Sequence, residues 1–301
     1  MRLSRLDLNL LIVLDALLVE RSVTRAAKII NLSQPATSGA LARLREYFED
    51  ELLVRVGSTM KLTPLAESLA KPVHNILLQI QATVEKKPEF NCADSDRCFH
   101  FMVSDYVATV FMPQLIRQVA QVAPGVRFEF TFNTDSPADA LEEGNIDFLL
   151  QPKQALSDLH PFCYLFEESF VCVGCANNPG LKKTLTLARY LELGHVTVHF
   201  GKQRVPSVDT TLMKEFGIEP RIDVIATTFS SVAQYLVGTA RIATMHRRLA
   251  QMWAEYLPLK IMPVPVDLPQ LESSLQWHKY KDNDPGIDWM RQMILQTAAQ
   301  F

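Results

Sequence analysis

Apolar positions along the first 65 residues recur at helical spacing. Leu10, Val13, Leu14, Leu17 and Leu18 fall at intervals of three and four, which predicts an amphipathic helix over 8–18. A second helix is expected over 23–30, started by Ser22 as N-cap and closed by Asn31. Ser33 then caps a third helix, with Pro35 in its first turn, where a missing N–H breaks no ladder bond. Ala36, Ala40, Leu41 and Leu44 are its expected inward face. The segment ELLVRVGSTMKLTP alternates in the manner of a short hairpin turning at Gly57-Ser58.

Beyond this point the period changes twice. Leu69, Val73, Ile76, Ile80 and Val84 follow steps of four, three and four over 65–86, a heptad seam suited to pairing with a second copy. Packing against the chain's own N-terminal unit fits the same pattern. Pro72 is expected to kink this helix or mark its effective start. KKPEFNCADSD reads as a hinge. From Cys98 onward, apolar runs (CFHFMV, VRFEFTF, IDFLL, FVCVG, HVTVHF, RIDVIA, RIAT) alternate with helical segments near 111–122, 208–216 and from 230. That alternation predicts an α/β class with parallel sheets and crossover helices, as one large lobe or two small ones.

Composition narrows the function classes. A hydrophobic share of 48% with 21% charged residues suits a soluble globular chain, and 301 residues suit two or three compact units. The N-terminal apolar stretch is interrupted by Asp7 and Asp15, with no small-residue cleavage site after it, so the expectation is a cytoplasmic protein with no membrane role. Five cysteines do not form a disulfide framework. Cys172 and Cys175 make a CxxC inside a β-branched run, where buried structural thiols are favoured over a redox pair or a zinc site. No phosphate-binding glycine motif and no nucleophile–base signature is present, so neither a cofactor, a metal nor an enzyme activity is indicated.

Charge is distributed unevenly. Residues 21–45 carry Arg21, Arg25, Lys28, Arg43 and Arg45 and no acid, whereas 66–301 carry 21 basic and 26 acidic residues. A solvated stripe accounts for this equally well until side-chain chemistry is added. In a helix-turn-helix, the third helix would offer Gln34, Thr37, Ser38 and Arg45 to a major groove. Gln pairs with adenine, Ser and Thr reach bases or phosphates, and Pro35 can touch a thymine methyl. Arg43 and Arg45 are candidates for phosphates, and so are Arg55 and Lys61 on the hairpin, a wing beside the helices.

ERSVTRAAKIINLSQPATSGALARLR and the LLVR…LTP wing resemble the LysR-type transcriptional regulators, and the resemblance spans the whole chain. LDLNLLIVLDALLVERS, FVCVGCANNP, RIATM and QWHKYKDNDPGIDWMRQ resemble the branch of nodulation (NodD-like) and naphthalene- and nitrotoluene-pathway regulators. The resemblance implies a winged helix-turn-helix over 1–64, a dimerisation helix over 65–88 and a hinge over 89–95. It implies an effector domain over 96–301 like periplasmic solute-binding proteins, with one lobe of about 96–165 and 269–301 and another of about 166–268. It also implies homodimers joined through the long helix, homotetramers, promoter DNA, RNA polymerase as a further partner, and activation by a small aromatic effector.

Family DNA contacts carry over onto Gln34, Pro35, Ser38 and Arg55. Two positions depart from the family: Gly39 stands where many relatives have Arg, and Ser58 where many have a second wing Arg. In the effector cleft, Ser104 with the backbone N–H groups of Asp105 and Tyr106 is expected to hold a polar head group. Phe111, His199, Phe200, Phe229, Ser230 and Ser231 are expected nearby, with core packing the alternative for each Phe. Glu168 and Pro206 stand where a nitroaromatic-responsive relative carries histidines, so a neutral phenol or flavonoid fits better than a carboxylate. The rival functions are a solute-binding receptor without DNA binding and a small α/β enzyme with a helical dimerisation arm.

Overall fold

The structure, a computed structural model, describes residues 6–57, 59–84, 89–132, 136–181 and 183–301. Ser58 and the expected end of the long helix at 85–88 lie outside the described residues. The chain divides into two compact units, Met1–Lys86 and Lys87–Phe301.

In the first unit, α1 (Asn9–Glu20), α2 (Val23–Ile29) and α3 (Gln34–Phe48) enclose one core with α4 (Pro64–Val84). Each turn has a local cause. Ser22 Oγ accepts from the Arg25 N–H and Ser33 Oγ accepts from the Ala36 N–H, so both caps satisfy helix donors that have no partner within the helix. Asn31 takes a left-handed φ of 54° between α2 and α3. Ala26 and Ala27 are buried, which lets α2 cross α3 closely. The wing is an antiparallel pair, β1 (Leu53–Val56) and β2 (Thr59–Leu62), with Gly57 at φ +64° in the turn.

Two expectations are corrected here. The inward face of α3 is Thr37, Ala40, Leu41 and Leu44, whereas Ala36 is exposed. Thr37 is fully buried and its Oγ1 donates to the Ser33 carbonyl at 3.1 Å, a bond that lets a hydroxyl sit inside the core. In α4, Pro72 lies well inside the helix rather than at its start. The upper half of α4 packs on its own unit through Leu69, Val73 and Leu77, while Ile76, Ile80 and Val84 are exposed.

The second unit holds two five-stranded paths. The first orders β4 (Arg127–Phe132), β3 (Cys98–Val103), β5 (Phe148–Pro152), β13 (Leu271–Trp277) and β6 (Phe162–Glu168). The second orders β10 (Ile222–Ala226), β8 (His195–Phe200), β11 (Ile242–His246), β7 (Phe170–Cys175) and β12 (Leu259–Met262), with the short β9 (Val205–Pro206) beside β8. The parallel expectation holds for β3 with β4 and β5, and for β8 with β10 and β11. It fails for β6, β13, β7 and β12, which pair antiparallel. The chain passes from sheet to sheet at Ser169 and returns between Met262 and Leu271.

Strand alternation separates the cores. Phe99, Phe101 and Val103 point into the large shared core, while Met102 joins a small cluster on the opposite face. In β7, Val171 and Val173 face the shared core and Cys172 faces another cluster with Tyr190 and Met213. Helices α5 (Asp105–Val110), α6 (Met112–Val122) and α12 (Pro285–Ala298) serve the first sheet; α10 (Phe229–Leu236) and α11 (Arg247–Ala254) serve the second. The remaining helices are α7 (Pro137–Glu142), α8 (Leu187–Glu192) and α9 (Val208–Glu215). No helix among the described residues is long and apolar enough to cross a membrane.

Gly39 lies inside α3 with nothing within 4 Å of where a Cβ would sit. Gly39→Ala should therefore stabilise the N-terminal unit by about 0.5–1 kcal/mol, read as a raised midpoint in urea followed by helical circular dichroism.

Candidate nucleic-acid and effector sites

The exposed edge of α3 begins with Gln34, Pro35, Ala36, Ser38 and Gly39, all in its first two turns. Thr37 is not among them, because its hydroxyl is spent on the Ser33 carbonyl inside the core. Arg45 is also withdrawn. Its Nε donates to the Glu51 carbonyl at 2.8 Å, and an Nη donates to the Leu53 carbonyl at 2.9 Å and pairs with the Glu51 carboxylate at 3.1 Å. Arg45 thus ties α3 to the wing. Arg43 pairs with Asp7 at 2.9 Å, and that hydrogen bond holds the Asp7 carboxyl below its ordinary pKa. Arg25 pairs with Glu20. The acid-free stretch in sequence is therefore partly matched by acids from outside it. Among the described residues, Arg21, Lys28 and Lys61 are exposed without an ion pair, and Arg55 donates only to the Gly57 carbonyl.

Between the two lobes, α5 of the first meets the start of α10 of the second. Asp105 Oδ2 accepts from the Ser230 N–H at 2.7 Å, and Thr109 Oγ1 lies 3.1 Å from Ser230 Oγ. Ser104 Oγ caps α5 by accepting from the Val107 N–H, and Ser231 Oγ donates to the Thr228 carbonyl. The Ser104, Ser230 and Ser231 hydroxyls expected to face a ligand thus make contacts within and across the lobes. Phe229 packs on His246, with ring centres 4.6 Å apart, and on Phe200 at 5.4 Å; His199 ends the same strand as Phe200. Burial, and then Arg204, hold the His199 pKa below its ordinary value. Phe111 is not part of this contact. It is fully buried against Phe166 and Phe301 in the core, because the residue between α5 and α6 turns inward.

Glu168 binds the lobes a second time. Its Oε2 accepts a short bond from the Tyr106 hydroxyl and lies 3.2 Å from Arg248, while Oε1 accepts from the Ser169 N–H at 2.8 Å. Burial and the Glu168 charge keep the Tyr106 phenol protonated. Tyr106 also stacks on His246, with ring centres 3.9 Å apart and planes at 11°. An open groove of about 660 Å³ beside this crossing is lined by Tyr164, Glu167, Glu168, Arg247, Arg248 and Gln270. A smaller cavity of about 170 Å³ lies inside the second lobe, lined by Tyr190, His195, Thr197, Asp209, Thr210 and Thr244. Neither cavity is lined by Ser104, Asp105, Phe111, His199, Phe200, Phe229, Ser230 or Ser231.

The bacterial regulatory helix-turn-helix domain of the LysR family matches residues 8–67, and the LysR substrate binding domain matches 96–299. The chain belongs to the LysR family of transcriptional regulators. Its sequence is 44% identical over 301 residues to nodulation protein D 1 of Mesorhizobium japonicum, covering 100% of this chain and 96% of that protein. It is 45% identical to nodulation protein D 2 of Rhizobium tropici, covering 99% and 95%. A probable transcriptional regulator of Pseudomonas aeruginosa has the same fold, with a TM-score of 0.66 at 31% identity and 97% of each chain covered. Regulators of this family bind promoter DNA and small-molecule effectors, and this chain carries the domain for each, so it regulates transcription rather than catalysing a reaction.

The regulator's CxxC lies in strand β7, where Cys172 and Cys175 fall on opposite faces. Burial pushes the Cys172 thiol up to about 12, which opposes thiolate chemistry. Sequence reasoning missed the side chains of Tyr106, His246 and Arg248. The one available signal was a histidine ending an apolar strand.

Burial holds His246 down to about 3, and His278, buried and beside His160, down to about 4. Protonation of either therefore favours the unfolded chain. The stability they contribute is complete above about pH 6.5 and is lost as pH falls toward those values. His246→Phe keeps the ring stack and removes one titrating group. The slope of unfolding free energy against pH between 6 and 4 should then flatten by about 1.4 kcal/mol per unit, measured by urea denaturation.

Proposed function

We propose that this regulator is a cytoplasmic transcriptional activator whose effector is a small neutral phenolic or flavonoid-like molecule held between the two lobes. The observation that carries the effector class is the pair of carboxylates, Asp105 and Glu168, both buried where the lobes meet. A carboxylate effector would bring a third negative charge against them, whereas a phenol donates a hydrogen bond to either. The likeness to the nodulation D proteins over the whole chain supports this reading. The effector competes for the Asp105–Ser230 and Thr109–Ser230 bonds, so its binding changes how the lobes close.

On the DNA side, Gln34, Pro35 and Ser38 read base edges from the start of α3, while Arg55 and Lys61 on the wing meet phosphates. Arg43 exchanges Asp7 for a phosphate; the pair is exposed, so little stability opposes the exchange. Homodimers form along the exposed Ile76, Ile80 and Val84 edge of α4, and pairs of dimers make a tetramer whose spacing on the promoter presents RNA polymerase with a bent template.

Two experiments test this reading. In gel shifts on its promoter, Gln34→Ala and Ser38→Ala should each weaken specific binding by about 1–3 kcal/mol while leaving random DNA unaffected. Arg43→Ala should weaken both and lower the salt slope by about 1. In thermal-shift assays, neutral phenols or flavonoids should raise the melting temperature and benzoates should not, with about 2.7 kcal/mol of stabilisation at one hundred times Kd. Stabilisation by benzoates alone overturns the effector class.

A further inference from the structure

We propose that Cys98, His100 and Glu129 form a divalent transition-metal site, with zinc as its occupant, on the outer edge of the first lobe. Cys98 and His100 are two residues apart on β3 and therefore share a face, opposite the buried Phe99 and Phe101. Glu129 on β4 is the register partner of His100. One ligand atom from each of the three residues lies within 4.8 Å of the others, and His100 Nε2 is 3.2 Å from a Glu129 carboxylate oxygen. Thiolate sulfur, imidazole nitrogen and carboxylate oxygen are a donor set that zinc accepts.

A bare cross-strand His–Glu pair needs neither a thiol nor the arrangement behind the ring. His100 Nδ1 lies 3.6 Å from Asp147 Oδ2, so an Nδ1–H directed there leaves Nε2 free for a metal. Asp147 is held in turn: it is buried, its Oδ2 accepts from the His100 N–H at 2.9 Å, and its Oδ1 pairs with Lys281 at 2.8 Å. This is the carboxylate–histidine–metal order in which the outer carboxylate fixes the ring and its tautomer. On binding, Cys98 releases its thiol proton to solvent; its thiolate and the Glu129 carboxylate balance the ion's two charges, His100 donates a neutral nitrogen, and water completes the coordination. Arg127, the strand partner of Cys98, donates to the Asp96 carbonyl. β4 is the edge strand of its sheet, so the metal pins that edge to β3.

The test is a cobalt(II) titration of the full chain, with zinc as competitor. The expected result is near-ultraviolet thiolate-to-cobalt absorption that zinc abolishes, that Cys98→Ser removes, and that His100→Ala and Glu129→Gln weaken at least tenfold in apparent affinity. Zinc should also raise the melting temperature of the parent and not of Cys98→Ser, a readout independent of the spectrum. All three positions are half-buried or exposed, so the variants are expected to fold. Absence of thiolate absorption from the parent overturns the proposal. So does absorption that persists in Cys98→Ser, which would place the metal on another of the five cysteines. Unchanged affinity in Glu129→Gln also overturns it, as a three-ligand site.

Discussion

The effector unit turns on a buried carboxylate. Glu168 sits at the end of the last strand before the chain crosses from one sheet to the other, 2% exposed. A charge there is tolerated only when hydrogen-bonded and paired, and each partner comes from a different part of the fold. Tyr106 belongs to the first lobe's opening helix, Arg248 to the second lobe, and the Ser169 N–H to the crossing itself. Removing any one partner would leave the others facing an unbalanced charge, so these elements are held in one arrangement.

The second link between the lobes is of a different kind. Asp105 caps the start of α10 with one acceptor, and Thr109 and Ser230 share a hydroxyl contact. The hydroxyl contact contributes about 1 kcal/mol net, and the bond to the buried Asp105 carboxylate about 1.5–3 kcal/mol. The two lobes are thus joined at Glu168 and again at Ser230. The aromatic rings of Tyr106, His246, Phe229 and Phe200 pack against one another in this region, the first three of them buried.

In the DNA-binding unit the same economy of hydrogen bonds decides which polar residues remain for a partner. Thr37 and Arg45 look, by type and position, like groove and phosphate contacts. Each instead satisfies backbone carbonyls of its own unit, Thr37 at the helix start and Arg45 on the wing. What remains outward at the start of α3 is Gln34, Pro35, Ala36, Ser38 and the bare backbone of Gly39. Fold stability does not require a glycine at position 39, since nothing crowds the site of its missing Cβ.

Sequence alone determined the elements whose signals are local. Caps at Ser22 and Ser33, the proline in the first turn of α3, the Gly57 turn and the strand periods of β3, β7 and β8 all act within a few residues, and the family resemblance supplied their assembly. Tertiary structure alone decided what depends on distant partners. The strands β6, β12 and β13 have weak periods and pair antiparallel with segments up to 129 residues away, as Trp277 does with Phe148, which no local pattern encodes. Thr37 and Ala36 exchanged faces because a hydroxyl can be buried once a carbonyl accepts from it. The arginines of an acid-free stretch found Asp7 and Glu51 from outside it, and Glu168, read from the sequence as a ligand contact, found Tyr106 and Arg248. Charge and hydrogen-bond pairing act through space, so their outcome was fixed only when the chain had folded.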